Sequence, residues 1–589
     1  MWQIEKIKER MSEEDRDFLK KIYAPTVVGV QPGDSRNGIC VMPDGEIRHY
    51  GERIKTHPWA EAEVCYISSV DGGLTWKYHE CDKDVLGSAQ YVPELGKYFA
   101  ATSTVVITKN DETVKDPEIG TYMKISEKGP DDKDYKKVKM CEKSYHDAFL
   151  PKYIKAKNRL AVTLQSVSDN EYHPVFAYSD DGGESWTVNE LESVPKYEVI
   201  YPSISPRWEN NGAEPIFTEC PDGRLMLLVR NSNDYFYVYY SDDYGTTWSK
   251  PEKSPFHATL TTPYFLKLSN SKTILFWNNT QPLPEINQAN ELPKHEEGFT
   301  YVGEDVFTNR DVSHAAISDD CITWTGLREL YLNGIRNNPD FRTIGGLKSS
   351  ADKSVHQFQA IELPYGKVLV AVGQNLVCRK LVIFDPEWLY EKERYEDFRE
   401  GMGNLTTHMY VKSLSGDYLY KNHPGHCSWN RTNGALLVPN PDMDGTEVLQ
   451  ICRIKDERLV NEKQGAVWNF PCASKGSVTM GVRIEGEGIK IALSDRWFNP
   501  TDEYAGELSP FSFKLTPDML VCGRWYDIKI EFDTKTAMAY VYANSVKLFG
   551  VRMKFKPEHG ISYLHMQTDA EAADFKGTLI SRLGMEAED

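Results

Sequence analysis

The sequence predicts an all-β protein in which a six-bladed β-propeller is followed by a β-sandwich. Three observations lead to this prediction: a short turn motif occurs four times, its copies stand at near-regular intervals, and the residue pattern changes after about Asn404. Repetition at a fixed period indicates an architecture of stacked units, and a period of about 50 residues is typical of propeller blades. The chain is therefore predicted to contain a repeat region and a second, non-repeating region.

The repeated motif, here called the box, predicts a tight turn. Its first three copies fit the pattern S-x-D-x-G-x-[ST]-W, and the fourth is one residue shorter. The aspartate carboxylate can accept backbone N–H groups inside the turn, and the glycine allows a positive φ. The tryptophan is expected to pack the turn onto its own sheet. The copies are Ser69–Trp76, Ser179–Trp186, Ser241–Trp248 and Ser318–Trp324.

The spacing of the boxes predicts the number of blades. The first two boxes are separated by roughly twice the blade period, and the later ones by close to one period. A degenerate copy at Ser126–Asp131 fills the long interval. A strand-like run precedes each box, and hairpin signals such as Pro43–Gly45 and Pro221–Gly223 lie ahead of most of them. Counting both signals gives six four-stranded blades between about Ile22 and Leu389.

Other patterns flank the repeat region. Residues 1–22 are predicted to form an amphipathic helix, residues 23–390 the propeller, and residues 391–403 a charged helical linker. Between residues 404 and 589 the boxes are absent and alternating strands appear, for example Ser477–Ile484. This region is predicted to be a β-sandwich of the jelly-roll or concanavalin-like kind, either sugar-binding or purely structural.

The charge, hydropathy and cysteine pattern of the chain argue against several classes of partner and cofactor. The 589 residues carry a formal net charge of -19, which argues against nucleic acid as a partner. We find no apolar run of membrane length and no signal-like segment, so we expect no membrane partner and a cytoplasmic protein, or a secreted one if a leader has been removed. The eleven cysteines include no C-x-x-C pair and are expected to be buried free thiols. Neither a metal nor another cofactor is expected, and the oligomeric state is left open.

The box pattern resembles the Asp-box β-propellers of the sialidase (neuraminidase) superfamily. The resemblance covers roughly the first two thirds of the chain. In that superfamily the boxes lie at the blade periphery, so the chemistry is expected on the innermost strands, which converge on the propeller axis. The resemblance implies a carbohydrate enzyme whose substrate is an oligosaccharide or a glycoconjugate.

The resemblance also implies three arginines that bind a sugar carboxylate, because the planar guanidinium fork matches carboxylate geometry. Arg36 matches the first arginine by position, although the usual Ile-Pro is absent. The stretch from Glu214 to Arg230 is similar to the family's E-P…D-G-R…R-N segment, which supplies a catalytic glutamate and the second arginine. Arg310 stands where the third would be. The substrate-binding candidates are therefore Arg36, Arg230, Arg310, Gln357 and Asn279.

The catalytic residues depart from the superfamily pattern. Sialidases use a tyrosine nucleophile near the start of the last blade, but His356 and Gln357 occupy that place here. Their acid is an aspartate ahead of the first box, where this chain has His57. Histidine titrates near neutral pH and can act as a general acid or base. His146 and Asp147 open another inner strand and are further candidates. The catalytic candidates are therefore Glu214, His356, His57, Asp147 and His146.

Three functions fit these residues. The first is a sialidase-like exo-glycoside hydrolase that releases a terminal, carboxylated sugar, in which Glu214 and a His or Asp share proton transfer and water attacks with inversion. The second is a polysaccharide lyase, in which the arginines neutralise a uronate and a histidine removes the proton at C5. The third is a non-catalytic, carbohydrate-binding propeller. The combination of Glu214 with Arg230 favours an enzyme.

Overall fold

The fold is described from a computed structural model of the chain. In the described part of the chain, two short helices and strands β1–β42 account for the regular structure apart from three short 3₁₀ turns, so the protein is all-β, as predicted. No helix among the described residues is long and apolar enough to cross a membrane. The structure describes residues 2–32, 38–53, 63–82, 84–103, 107–109, 112–114, 119–147, 149–168, 171–198, 202, 210–283, 308–331, 337, 354–373, 378–414 and 429–588.

The N-terminal segment forms two helices instead of the single predicted helix. Helix α1 spans Trp2–Arg10 and helix α2 spans Glu13–Lys21. The break falls at Ser12 because this residue caps α2: its hydroxyl accepts the backbone N–H of Asp15, whose carboxylate accepts the N–H of Ser12. The buried apolar side chains of this segment, Ile7, Met11 and Leu19, pack on the repeat region.

The described part of residues 26–384 forms six larger antiparallel sheets, whose strands are mostly consecutive in the chain, and a separate two-stranded pair of Ile107–Lys109 with Glu112–Val114. Each larger sheet has four strands in its main order, and the third also takes in a fifth short strand. The strands are β1 (Thr26–Gly29), β2 (Ile39–Val41), β3 (Ile47–Arg53), β4 (Glu63–Ser69), β5 (Lys77–Glu80), β6 (Gln90–Val92), β7 (Lys97–Ser103), β8 (Ile107–Lys109), β9 (Glu112–Val114), β10 (Thr121–Ser126), β11 (Lys136–Cys141), β12 (His146–Asp147), β13 (Lys152–Ile154), β14 (Arg159–Ser168), β15 (Glu171–Ser179), β16 (Thr187–Glu190), β17 (Asn211–Glu219), β18 (Leu225–Asn231), β19 (Tyr235–Ser241), β20 (Glu252–His257), β21 (Tyr264–Lys267), β22 (Thr273–Trp277), β23 (Ser313–Ser318), β24 (Thr325–Tyr331), β25 (Gln359–Glu362), β26 (Val368–Val372) and β27 (Lys380–Phe384).

The order of strands identifies one pairing that the sequence did not predict. Five sheets take their strands in chain order: β2–β5, β6-β7-β10-β11, β12-β14-β15-β16 with β13 beside β14, β17–β20, and β21–β24. The last sheet has the order β1-β27-β26-β25, so the first strand of the chain completes the last sheet of the region. Thr26 lies opposite Ile383 in this pair. The two ends of the repeat region are therefore joined by backbone hydrogen bonds.

The boxes form the predicted turns. In each, a backbone N–H donates to the hydroxyl of the box serine at 2.8 Å. In the short fourth copy the donor is Cys321, whose φ of 60° places it in the conformation that glycine adopts elsewhere. The hydroxyl and the backbone N–H of Ser185 lower the pKa of Asp181 to about 2. The donor–acceptor pairs are Gly73 to Ser69, Gly183 to Ser179, Gly245 to Ser241 and Cys321 to Ser318.

The degenerate copy forms a related turn. The backbone N–H of Gly129 donates to the Ser126 hydroxyl at 3.2 Å, as glycine does in the complete boxes. The Ser126 hydroxyl donates to Asp132 at 2.6 Å. The turn therefore keeps its serine and its carboxylate, although the carboxylate comes from a later position in the chain.

The box tryptophans pack against their own sheets, as expected, and also against a neighbouring sheet. The ring of Trp324 lies 6.2 Å from that of Phe265 in its own sheet. Trp248, between β19 and β20, lies with its ring 5.0 Å from that of Phe176 in the preceding sheet. Trp324 likewise lies 5.4 Å from Phe256 in the sheet before its own. This placement buries the apolar rings against residues of both sheets. The boxes therefore fasten successive sheets to one another.

The C-terminal region forms two further sheets and a separate pair, β30 with β31. One sheet has the order β32-β33-β42-β35-β38-β39-β40 with β28 beside β42, and the other β29-β34-β41-β36-β37. The two sheets share one large apolar cluster. Their strands are β28 (Glu393–Glu396), β29 (Leu405–Thr406), β30 (Met409–Leu414), β31 (Trp429–Thr432), β32 (Leu436–Pro439), β33 (Glu447–Arg453), β34 (Gly465–Ala473), β35 (Lys475–Ile484), β36 (Ile489–Ser494), β37 (Phe511–Leu515), β38 (Tyr526–Asp533), β39 (Met538–Ala543), β40 (Val546–Arg552), β41 (Ile561–Thr568) and β42 (Asp574–Ala587).

The predicted helical linker is wrong. Residues 393–396 form strand β28, which pairs with β42 so that Glu393 lies opposite Glu586 and Glu396 opposite Leu583. The charged composition favoured an exposed helix, but pairing along a strand from the far end of the chain satisfies the backbone instead. This segment is therefore part of the C-terminal sheets.

Buried polar groups join the two regions. The Asp311 carboxylate accepts a hydrogen bond from Arg431 at 2.5 Å and a further one from the Tyr410 hydroxyl. Burial alone would raise the pKa of Asp311, but the Arg431 cation lowers it well below the ordinary range. In a second contact the Tyr563 hydroxyl donates to Glu329 at 2.9 Å. Paired in this way, the buried charges fix one region against the other.

Candidate active site

Glu214 is the centre of the candidate site. It lies in β17 at a bulge, because the register between β17 and β18 shifts between Ala213 and Ile216. Its φ is 43°, and its backbone N–H donates to the side-chain oxygen of Gln165 at 2.7 Å. Its side chain is 15% exposed, so the carboxylate is mostly buried but open on one side. The bulge thus turns this side chain out of the regular alternation of the strand.

Within the described part of the structure, three side chains from other strands and loops donate to the Glu214 carboxylate. Arg230, near the end of β18, donates from Nη1 to Oε2 at 3.1 Å. The Thr262 hydroxyl donates to the same oxygen. Gln357, just ahead of β25, donates from Nε2 to Oε1 at 3.4 Å. A charge-assisted hydrogen bond and two neutral ones therefore hold the carboxylate in place.

The segment that carries Thr262 also reaches Arg310. The backbone carbonyl of Leu260 accepts a hydrogen bond from Arg310 Nη1 at 3.4 Å. The carbonyl of Arg310 in turn accepts the N–H of Val355, two residues before Gln357, at 2.7 Å. Hydrogen bonds thus connect Arg310 to the two segments that carry Thr262 and Gln357.

Arg310 is 0% exposed, in contrast to the accessible clamp residue that was expected. The adjacent residue, Asp311, explains this burial because Arg431 and Tyr410 of the C-terminal region bind it. Arg230 is 7% exposed. Of these two arginines, Arg230 is therefore the one placed to contact a ligand beside Glu214.

Three residues of the site have unusual backbone conformations. Glu214, Leu260 and Gln357 have φ values of 43°, 47° and 68°. Residues other than glycine rarely adopt positive φ. Each such conformation costs about 1–3 kcal/mol and persists only where the surrounding structure imposes it. All three lie within one hydrogen-bonded cluster. Strain concentrated in this way is typical of a functional site.

The histidine candidates occupy different positions. His356 precedes Gln357 and is 1% exposed, and its carbonyl accepts the N–H of Gly373 at 2.9 Å. Successive side chains of an extended segment point to opposite sides, and of this pair it is Gln357 that contacts Glu214. His146 lies in β12 opposite Gln165, whose side chain binds the Glu214 backbone.

The remaining candidate residues are Asp147, His57, Arg36 and Asn279. Asp147 follows His146 in β12, but its side chain is outside the described part of the structure. His57 and Arg36 lie outside the described residues. Asn279 is 2% exposed and its amide donates to the carbonyl of Asp495 at 2.9 Å, so it lies at the junction with the C-terminal sheets.

Sequence reasoning missed Thr262 and Gln165. Thr262 belongs to the run Thr259-Leu260-Thr261-Thr262-Pro263 directly ahead of β21. A cluster of hydroxyl residues before a strand was the one available signal, and it does not specify which hydroxyl reaches a carboxylate in another sheet. Within the described residues, no group of three or more His, Cys, Asp or Glu side chains is arranged to hold a metal ion.

A cavity of about 420 Å³ opens among the first strands of several sheets. Lys152 lies in its wall and donates from Nζ to the carbonyls of Phe217, at 2.8 Å, and Phe265, at 3.4 Å. Burial lowers the pKa of Lys152 to about 7. A lysine near this value can hold or release a proton at neutral pH.

Replacing Lys152 by methionine should alter the pH dependence of stability. Between about pH 7 and 10.5 the unfolded chain binds the lysine proton and the folded protein does not, so the free energy of unfolding of the wild type rises with pH. The slope is at most about 1.4 kcal/mol per pH unit. The free energy of unfolding of Lys152→Met should not rise with pH in this way. Thermal unfolding of both proteins at pH 7, 8.5 and 10 would measure the difference. Parallel profiles for the two proteins would contradict the assignment.

The sequence is similar to a known domain family and to one curated protein. Residues 31–332, about half of the chain, match the BNR repeat-like domain family. The anhydrosialidase of Macrobdella decora is 32% identical over 111 residues, which are 19% of this chain and 12% of that protein. The match thus spans about an eighth of the curated relative's length.

Among solved structures, the Trypanosoma rangeli sialidase in complex with sialic acid is 11% identical, with 96% of this chain and 94% of that chain covered and a TM-score of 0.37. A Dyadobacter fermentans protein of unknown function is 15% identical, with 62% and 96% covered and a TM-score of 0.39. The intramolecular trans-sialidase of Ruminococcus gnavus is 13% identical, with 63% and 96% covered and a TM-score of 0.36.

Proposed function

The chain belongs to the BNR repeat-like domain family as a divergent member of the sialidase superfamily, and on this premise we propose that it is a sialidase-like exo-glycoside hydrolase. Its substrate is an oligosaccharide or a glycoconjugate with a terminal, carboxylated sugar. The observation that supports this proposal most is the Glu214 carboxylate, held by Arg230, Thr262 and Gln357 and still partly open.

The proposed architecture is a six-bladed propeller with a C-terminal β-sandwich. Three features support closure of the six sheets into a ring: β1 pairs with β27, box tryptophans pack on preceding sheets, and β21–β24 share an apolar cluster with β25–β27. The single cluster between the two C-terminal sheets supports the sandwich. A ring brings the first strands of the sheets together around one axis, where Glu214 and Gln357 lie.

In the proposed reaction Glu214 acts as a general base. An ionised carboxylate can take a proton from a water molecule as that water attacks the anomeric carbon. The glycosidic C–O bond breaks in the same step, and a histidine or aspartate acid of the candidate set gives its proton to the leaving oxygen. Inversion of configuration follows because no covalent intermediate forms. This route needs no tyrosine nucleophile, in keeping with the His356-Gln357 pair at the position where sialidases have one.

Arg230 has a double role in this proposal. Its guanidinium has five N–H donors, and one of its nitrogens, Nη1, is bound to Glu214. In the proposed complex the guanidinium also binds the carboxylate of the terminal sugar, since a planar fork matches a carboxylate. The cation thereby fixes the sugar against the base that activates water.

The test is a panel of sialosides and uronate-terminated oligosaccharides whose products are analysed by mass spectrometry. Release of a free acidic sugar, with total product mass equal to substrate plus one water, supports hydrolysis. An unsaturated product with new ultraviolet absorbance identifies a lyase and overturns the proposal. Binding without turnover of any acidic sugar identifies a carbohydrate-binding propeller and also overturns it.

Thr262→Val should lower kcat/KM about fivefold to tenfold. Valine keeps the shape but removes the hydroxyl that donates to Glu214, and one such hydrogen bond contributes about 1 kcal/mol. The matched control is Thr261→Val, because the neighbouring Thr261 is equally buried but donates to Asn278. Steady-state kinetics should show the loss only in the Thr262 variant. Equal losses in both variants would show that the effect is structural.

A further inference from the structure

The second C-terminal sheet carries a pocket that is separate from the residues around Glu214. It has a volume of about 360 Å³ and lies over β36, β37 and β41. The register of these strands places Gln567, Lys490 and Lys514 in one row across the sheet, and His565, Ala492 and Ser512 in the next row on the same face. Ala492 leaves room in the middle of the floor.

Gln567 and Asp502, two buried polar side chains in the pocket wall, can each make further hydrogen bonds. Gln567 is 2% exposed, and its Nε2 makes no hydrogen bond within the described residues. Asp502 is 3% exposed, and its Oδ1 accepts the backbone N–H of Tyr504 at 2.8 Å. A buried amide donor without a partner costs free energy, so a hydrogen bond from a ligand at this atom would be favourable.

The hydrogen bonds and protonation states of His565 and Asp502, also in the pocket wall, determine which of their atoms can bind a ligand. The His565 ring donates from Nε2 to the carbonyl of Asn499 at 3.0 Å, and burial lowers its pKa to about 4, so it is neutral. Burial also raises the pKa of Asp502 to about 7, so near neutral pH this carboxyl both donates and accepts hydrogen bonds.

The charges around the pocket balance one another. Lys490 and Lys514 both face Asp569, at 3.5 and 2.7 Å. Lys554 donates to the Ser512 hydroxyl at 2.6 Å and lies close enough to Glu507 for that carboxylate to affect its pKa. No excess of positive charge remains to select a carboxylate or a phosphate group.

We infer that this pocket binds a neutral sugar ring through its hydroxyl groups. A hydroxyl donates one hydrogen bond and accepts others, so vicinal hydroxyls match a wall on which donors such as Gln567 Nε2 alternate with carboxyl groups such as Asp502 and Glu507. The volume is near the lower end of the range for small-molecule sites, which suits one sugar ring. This inference does not rest on the proposed catalytic function.

The experiment measures binding of glucose, galactose, mannose, N-acetylglucosamine and N-acetylgalactosamine to the full chain by saturation-transfer NMR and calorimetry. At least one of these sugars should bind. Gln567→Leu and Asp502→Asn should each weaken that binding about tenfold, as expected for the loss of one well-made hydrogen bond. Asp444→Asn, which alters an exposed turn of the same region, should bind as the wild type does.

A further variant distinguishes a loss of sugar binding from a loss of folding. Glu507 is exposed at the rim, so Glu507→Gln should leave the melting temperature unchanged and weaken binding by a smaller factor. Three results would overturn the inference: no neutral sugar binds the wild type, the pocket variants bind as tightly as the wild type, or only acidic sugars bind.

Discussion

Glu214→Gln should reduce turnover about a hundredfold or more while the protein still folds. The amide keeps the shape of the side chain, but it loses the negative charge and cannot accept the proton of the attacking water. Its NH2 group would also face donors, since Arg230, Thr262 and Gln357 all donate to this position in the wild type. Steady-state kinetics on the glycoside that the wild type cleaves, together with thermal unfolding, would measure both effects.

Glu252→Gln is the matched control, because Glu252 is an exposed carboxylate in the same sheet. It should leave kcat and the melting temperature within error of the wild type. If Glu214→Gln turned over as fast as Glu252→Gln, Glu214 would not be the base and the proposed mechanism would fail.

The local features of this fold could be predicted from the sequence. A box places its serine, aspartate and glycine within eight residues, and the hydrogen bonds that define the turn join those same residues. The fourth copy lacks the usual glycine, yet Cys321 adopts a positive φ and preserves the turn. Strands ahead of the boxes follow from alternation in the same way.

Features that depend on distant partners could not be predicted. The segment at residues 393–396 has a composition typical of an exposed helix, and only the remote strand β42 makes it a strand. The pairing of β1 with β27 joins residues at opposite ends of the repeat region. Local patterns contain no information about such partners, because the stabilising contacts are tertiary.

The candidate site shows the same division. Glu214 and Arg230 could be identified because a family motif spans both residues, and the structure places them 3.1 Å apart. Thr262 could not, since its role depends on a loop conformation with Leu260 at positive φ. The burial of Arg310 could not be predicted either, because it depends on the C-terminal region that binds Asp311.

Arg230→Met should reduce kcat/KM by about 2–4 kcal/mol of transition-state stabilisation, roughly 30-fold to 1000-fold. The variant loses the fork proposed to bind the sugar carboxylate and leaves Glu214 without its cation, so the melting temperature should also fall. Arg230→Lys keeps the charge but not the planar fork and should lose less. Arg224→Met, at an exposed position of the same hairpin, should change stability by no more than about 0.5 kcal/mol.

The double variant with Glu214→Gln and Arg230→Met distinguishes a shared role from two separate ones. If the two residues act as one unit, removing both should cost little more than the larger single loss, because the second change removes a group that has already lost its function. The melting temperature should partly recover, since neither an isolated carboxylate nor an isolated cation is then left buried. Losses in kcat/KM that simply add would show that Arg230 acts on the substrate independently of Glu214, and would contradict the paired arrangement at the site.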